Sequence, residues 1–132
     1  MDKQPDIEIY IKHLNAEDLH DWLVLHFDDL KQGNFSTERF QQGKACQIKA
    51  RHKNNKIPIF ITPGAAGKAY CSVWFQSADT PWSNDLECAE DCLKQIDTEI
   101  RCSAEGWQEE EALDSEQWWC LTRDGKKRVR WS

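Results

Sequence analysis

The chain has 132 residues, of which 39% are hydrophobic and 30% charged, which is typical of a folded protein rather than of a disordered chain. This length suits one domain, so we expect residues 1–132 to share a single core, and the sequence has no run of about 18 apolar residues that could cross a membrane. The net charge of -6, from 17 basic and 23 acidic residues, argues against a general nucleic-acid binder.

The first third of the chain predicts a strand followed by a helix. Residues 7–12 alternate isoleucine with polar side chains, which is the two-residue period of a strand with one buried face. Asn15 is a suitable N-cap for a helix over residues 16–31. The apolar face of this helix would consist of Leu19, Trp22, Leu23, His26 and Leu30. The polar residues 33–45 contain two glycines, and we expect them to be irregular.

The central part of the chain predicts a hairpin, a further strand and a second helix. Residues 46–51 and 57–62 have strand alternation and flank a polar turn. Residues 70–76 alternate in the same way. The apolar residues of a helix over residues 83–96 fall on one arc of the helical wheel, so this helix should have one buried face.

The last part of the chain predicts one more strand and a second hairpin. Residues 98–103 alternate, and the acidic segment 104–116 follows them. Residues 118–122 and 127–131 then pair across a two-residue turn made of Asp124 and Gly125. Because side chains alternate along a strand, every second residue of this hairpin lies on the same face.

The order of these elements indicates the fold class. It reads strand, helix, strand, strand, and then the same series again. We therefore predict an α+β fold in which two βαββ-like halves form one mostly antiparallel sheet of six or seven strands. Both helices would pack on one face of this sheet, because each has a single strong apolar face.

The cysteines predict a compartment and raise one alternative function. The first six residues contain no apolar secretion signal, so we expect a cytoplasmic protein with reduced thiols. Four cysteines could form a thiolate zinc site, namely Cys88, Cys92, Cys102 and Cys120. Their spacing differs from the paired turns of common zinc sites, and their apolar neighbours favour burial in the core. We predict no metal and no cofactor.

No set of residues has the pattern of a catalytic site. The four histidines lack a metal-binding spacing, and no serine or cysteine stands in a nucleophile motif. His26 lies on the apolar face of the first helix, where we expect a neutral, hydrogen-bonded side chain at the edge of the core. We therefore predict no catalytic residues and no enzymatic activity.

The C-terminal hairpin predicts a partner surface. After Thr122 come five basic residues and one acid, whereas 12 acids and two basic residues lie between Asp85 and Glu116. One face of the hairpin collects Trp119, Leu121, Arg123, Lys126, Arg128 and Arg130. Tryptophan and arginine dominate binding at protein interfaces. The predicted partner-binding residues are Trp119, Leu121, Arg128, Arg130 and Trp107.

Two interpretations of this surface stay open. It binds a partner, or the acidic segment 104–116 folds over it and neutralises it within the chain. For the whole chain we expect a small non-enzymatic interaction domain, regulatory through a protein partner and either monomeric or a weak homodimer. A small-ligand domain with a pocket between sheet and helices is the first alternative, and a cysteine-based metal protein is the second. Nucleic acid and membrane are not expected as partners.

Overall fold

A computed structural model describes residues 5–31, 33–66, 69–103 and 117–130. Within them the fold is α+β, with three helices and one open sheet of eight strands. The helices are α1 (Ala16–His26), α2 (Thr37–Gln41) and α3 (Asp85–Gln95). The strands are β1 (Ile7–Lys12), β2 (Asp29–Lys31), β3 (Cys46–His52), β4 (Asn55–Ala66), β5 (Tyr70–Phe75), β6 (Ile100–Ser103), β7 (Gln117–Thr122) and β8 (Gly125–Arg130).

The sheet is antiparallel throughout and has the strand order β2-β3-β4-β5-β1-β6-β7-β8. The first strand of the chain therefore lies in the middle. β1 pairs with β5 from Ile7 opposite Phe75 onwards, and with β6 through Tyr10 opposite Arg101. Among the described strands, β8 forms one edge of the sheet.

Asparagine side chains begin both long helices. The Asn15 side chain accepts a hydrogen bond from the Asp18 amide at 2.8 Å, and Asn84 does the same for Glu87 at 2.9 Å. Each bond satisfies an amide that has no partner within its helix. Asp85 in the first turn of α3 also accepts from the Glu8 amide, at 3.0 Å, so the start of α3 is tied to β1.

The core lies between the sheet and the two long helices, which pack on the same face. Trp22 of α1 is fully buried, stacks on Trp82 at 5.4 Å and meets the edge of Phe75 from β5 at 6.0 Å. Cys88 and Cys92 of α3 are fully buried in the same cluster. The predicted antiparallel α+β fold, with its long helices on one face, is confirmed, but the described sheet has eight strands rather than six or seven and there is a third helix.

One carboxylate joins the two long helices. Oδ2 of Asp91 in α3 accepts a hydrogen bond from Nε1 of Trp82 at 3.2 Å, and Nε2 of His26 in α1 lies 2.6 Å from the same oxygen. Nε1 of Trp22 donates to it at 3.5 Å. His26 thus occupies the core edge with a polar partner, as its position on the apolar face of the helix predicts.

The structure corrects several predicted elements. The first helix ends at His26 rather than at residue 31, because Phe27 turns extended and stacks on Phe75 at 5.9 Å. The following residues form β2, and α2 lies in the stretch 33–45 that was expected to be irregular. The division into two βαββ halves is not confirmed, since β2 and α2 interrupt the first series and β1 lies between β5 and β6.

The register of the C-terminal hairpin is also corrected. Its turn consists of Arg123 and Asp124, because Thr122 pairs with Gly125. Trp119 therefore faces Arg128 instead of Arg130. Each partner moves by two residues, so the described side chains of β7 and β8 keep their predicted faces.

Replacing Asp91 by alanine should lower the free energy of unfolding by about 2–4 kcal/mol, because the donors of His26 and Trp82 lose their shared acceptor. Glu90→Ala is the matched control on the same helix. Glu90 is exposed and bonds Lys126, so its loss should cost below about 1 kcal/mol. Urea unfolding measures both values, and equal losses would contradict the role given to Asp91.

Candidate protein-binding surface

The hairpin of β7 and β8 is fastened to the end of α3. Nε of Arg123 donates to the Leu93 carbonyl at 2.8 Å, and its Nη2 donates to the Lys94 carbonyl at 3.5 Å. A cation at this position also suits the negative end of the helix dipole. Nζ of Lys126 adds a bond to Glu90 at 3.3 Å. Arg123 therefore supports the hairpin, although its predicted position was on the partner face.

Trp119 lies between two cations on the helix-bearing side of the hairpin. Nζ of Lys126 is 5.3 Å from the Trp119 ring centroid, and Cζ of Arg128 is 5.4 Å from it. The ring is half-buried against the edge of the core, and Arg128 and Arg130 are exposed. The cationic Trp119 surface, as we call it, consists of Trp119, Lys126, Arg128 and Arg130. It presents an aromatic ring and positive charge together.

Leu121 is not part of this exposed surface. It is only 2% exposed and lies opposite Ile100 of β6, so it belongs to the core. The structure brings together Trp119 and Arg128, with Arg130 two residues further along the same face. Trp107 and the acidic segment 104–116 lie outside the described residues.

An open groove adjoins the cationic Trp119 surface. It has a volume of about 720 Å³ and runs between α3 and the hairpin. Leu93 and Leu121 contribute apolar surface, and Glu90 and Lys126 contribute charge. Sequence reasoning did not find this groove, because it forms only where a helix and a hairpin distant in sequence are packed together.

The opposite side of the sheet carries a different cluster of side chains. The Tyr70 hydroxyl donates to Oε2 of Glu99 at 2.5 Å, and Arg101 binds the same oxygen through Nε at 3.1 Å. The Arg101 guanidinium lies 5.3 Å from the centre of the Tyr70 ring. We call these residues, together with Cys120, the Glu99 cluster. Trp118 contacts the neighbouring Tyr10 edge-on at 5.5 Å.

The protonation of the Glu99 cluster follows from its contacts. Burial and the hydrogen bond to Glu99 raise the pKa of Tyr70 to about 12. The same bond from Tyr70 lowers the pKa of Glu99, and burial raises the pKa of the Cys120 thiol. At neutral pH Tyr70 and Cys120 keep their protons and Arg101 balances the charge of Glu99, which suits a structural role.

The cysteines are unpaired and buried, all six of them. Cys88, Cys92 and Cys102 lie in the core beneath α3, whereas Cys120 points to the other side of the sheet. The four thiols considered for a zinc site are therefore not brought together. In the part of the chain that the structure describes, no three histidine, cysteine or acidic side chains are grouped to hold a metal ion.

The space between sheet and helices is filled by side chains. Trp22, Phe75, Ile9, Ile11 and Leu23 are each 0% exposed there. Packing of this kind gives no support to the alternative of a ligand pocket at that place, since such a pocket needs an open volume.

Comparisons with models of protein families, with curated proteins and with solved structures found no match to this chain. Its function must therefore be inferred from its own residues. None of the described helices is long and apolar enough to cross a membrane.

The native thiols should react slowly with Ellman's reagent at pH 8 and rapidly once urea unfolds the protein. Burial shields them from the reagent, and it also raises the pKa of Cys71 to about 12, so little thiolate is present. Absorbance of the released thiolate with and without urea measures both rates. Immediate reaction of all the thiols in the native protein would contradict their burial.

Glu99→Gln should destabilise the protein by about 1–2 kcal/mol at pH 7, because Tyr70 and Arg101 lose a charged acceptor. The pKa of Glu99 is lowered by folding, so its contribution is present above its unfolded pKa and disappears as pH falls through the folded one. Urea unfolding measured from pH 7 to pH 3 should show the free energies of unfolding of the variant and the wild type becoming more similar as the pH falls.

The exposed carboxylate of Asp97 provides the control for this pH series. Its side chain is 76% exposed and reaches Arg123 at 3.9 Å, so Asp97→Asn should change stability by less than about 1 kcal/mol at every pH. If the loss in free energy of unfolding caused by Glu99→Gln stays constant down to pH 3, the role given to the Glu99 charge is wrong.

Proposed function

We propose that this chain is a non-enzymatic interaction domain that binds a protein partner through the cationic Trp119 surface. The observation that supports this most is the Trp119 ring, half-buried and flanked by Lys126 and Arg128 at 5.3 and 5.4 Å. A tryptophan fixed by neighbouring cations binds with little loss of side-chain freedom, and both tryptophan and arginine are enriched at interface hot spots.

The charge of the surface indicates the kind of partner. β8 carries Lys126, Lys127, Arg128 and Arg130, whereas the whole chain has a net charge of -6. An acidic protein would be attracted to β8 and repelled by the acidic residues that are concentrated between Asp85 and Glu116. A nucleic acid would meet the same repulsion over a much larger area, which favours the protein.

The proposal includes a cellular compartment and a regulatory role. We infer a cytoplasmic protein that acts as a regulator by occupying an acidic site on its partner. The six unpaired, buried cysteines support a reducing compartment, because none of them forms a disulfide.

Trp119→Ala should weaken the complex by about 2 kcal/mol, or about 30-fold in Kd, because the anchor ring is lost. Arg128→Ala should weaken it by about 1 kcal/mol or more, since an exposed guanidinium contributes less than the ring. The partner is first isolated on the wild-type protein and identified by mass spectrometry, and its Kd for each purified variant is then measured by titration calorimetry.

Lys127→Ala is the matched control for Arg128→Ala. Lys127 is an exposed cation on the same strand, but its side chain lies on the opposite face of the sheet. It should leave the Kd nearly unchanged. Thermal melting verifies that Trp119→Ala is folded at the assay temperature. Unchanged affinity of folded Trp119→Ala and of Arg128→Ala would refute this binding surface.

A further inference from the structure

The outer edge of β8 has backbone groups that no described strand pairs with. β8 is last in the strand order, so only β7 borders it among the described residues. In an antiparallel sheet, successive residues direct their backbone N–H and C=O groups alternately to one neighbouring strand and to the other. The registers of the preceding strands therefore determine which residues of β8 direct their backbone groups outward.

One hydrogen bond sets this alternation. The Lys12 amide donates to the Glu99 carbonyl at 3.0 Å, so residue 99, and with it residue 101, is directed toward β1. Cys102 of β6 is then directed toward β7, where it meets Trp119. It follows that Cys120 is directed toward β8, where it meets Lys127.

The outward positions on β8 are consequently Lys126, Arg128 and Arg130. The N–H and C=O groups of all three are directed away from β7, and each residue carries a cationic side chain. All three side chains lie on the face that also holds Trp119, because Trp119 pairs directly with Arg128. At Lys126 and Arg128, an outward-directed backbone position and a cationic side chain thus belong to the same residue.

We propose that an extended acidic segment of the protein partner pairs with β8 and adds a ninth strand to the sheet, an inference that rests on the proposed function. Residues directly opposite one another in an antiparallel pair share a face. The segment should therefore carry acidic side chains at alternate positions, of which two lie opposite Lys126 and Arg128. Backbone bonds would supply affinity and these charge pairs would supply register.

Charge decides against a second copy of this chain as the occupant. Antiparallel pairing of two β8 strands would set lysine and arginine against lysine and arginine, and like charges directly opposite are destabilising. Basic residues on an edge strand also discourage pairing with uncharged strands. The same residues leave the edge open to a strand of opposite charge.

A synthetic peptide with glutamate at three alternate positions between valines is the probe. It should bind the full chain, and a peptide of the same composition with contiguous glutamates should bind about tenfold more weakly, because its charges miss the alternate cations. N-methylation of the glutamate amides should abolish binding, since those amides face β8. N-methylation of the valine amides, which point away, is the matched control and should be tolerated.

Amide hydrogen exchange gives a direct readout of pairing. Saturation with the peptide should slow amide exchange at Lys126 and Arg128 about tenfold or more, and leave exchange at Lys127 and Val129, whose amides are already directed to β7, unchanged. Absent binding, or binding without this protection, overturns the edge proposal. Protection of the same amides in the peptide-free protein also overturns it. If this protection is present at every protein concentration, residues of the same chain occupy the edge. If it appears only at high protein concentration, a second copy occupies the edge.

The isolated partner separates this proposal from the proposed function. If Trp119→Ala weakens the complex but the partner leaves the Lys126 and Arg128 amides unprotected, the edge pairing is wrong and the binding surface stands. If Trp119→Ala and Arg128→Ala bind the partner as tightly as the wild type, the proposed function is wrong whatever the peptide does.

Discussion

The arrangement of the helices, and through them of the C-terminal hairpin, depends on the carboxylate of Asp91. It accepts a hydrogen bond from Trp82 and lies 2.6 Å from His26, which joins α1 to α3 across the core. The neighbouring residue Glu90 bonds Lys126, and the carbonyl of Leu93 accepts from Arg123. Displacement of α3 would therefore change the position of β8 as well as the packing of the core.

The sequence predicts the local structure well wherever one period dominates. The isoleucines of β1 alternate along the sequence and are 0% exposed on one side of the sheet. The faces of the C-terminal hairpin are also predicted correctly, although the turn is one residue earlier than expected. The face on which a side chain lies depends only on whether its residue number along the strand is odd or even. A shift of two residues between paired strands therefore leaves every such face unchanged.

Contacts between distant residues explain what the sequence does not predict. Leu121 looks like a surface residue within an isolated hairpin. In the structure, Ile100 of β6 lies beside it in the sheet and α3 packs near its face. β2 has three residues and no recognisable alternation, and it forms because Phe27 leaves the helix to stack on Phe75. The edge position of β8 follows from the order of all eight strands, which no local pattern contains.

The central position of β1 has a consequence for how the chain folds during synthesis. Its isoleucines are made before both of their partner strands, which are Tyr70–Phe75 and Ile100–Ser103. Until those residues leave the ribosome, β1 has neither of its neighbours and its apolar face is uncovered. Pairing between such distant segments is slow, and exposed strand edges favour aggregation, so we expect the unfinished chain to aggregate more readily than a helical protein of equal length.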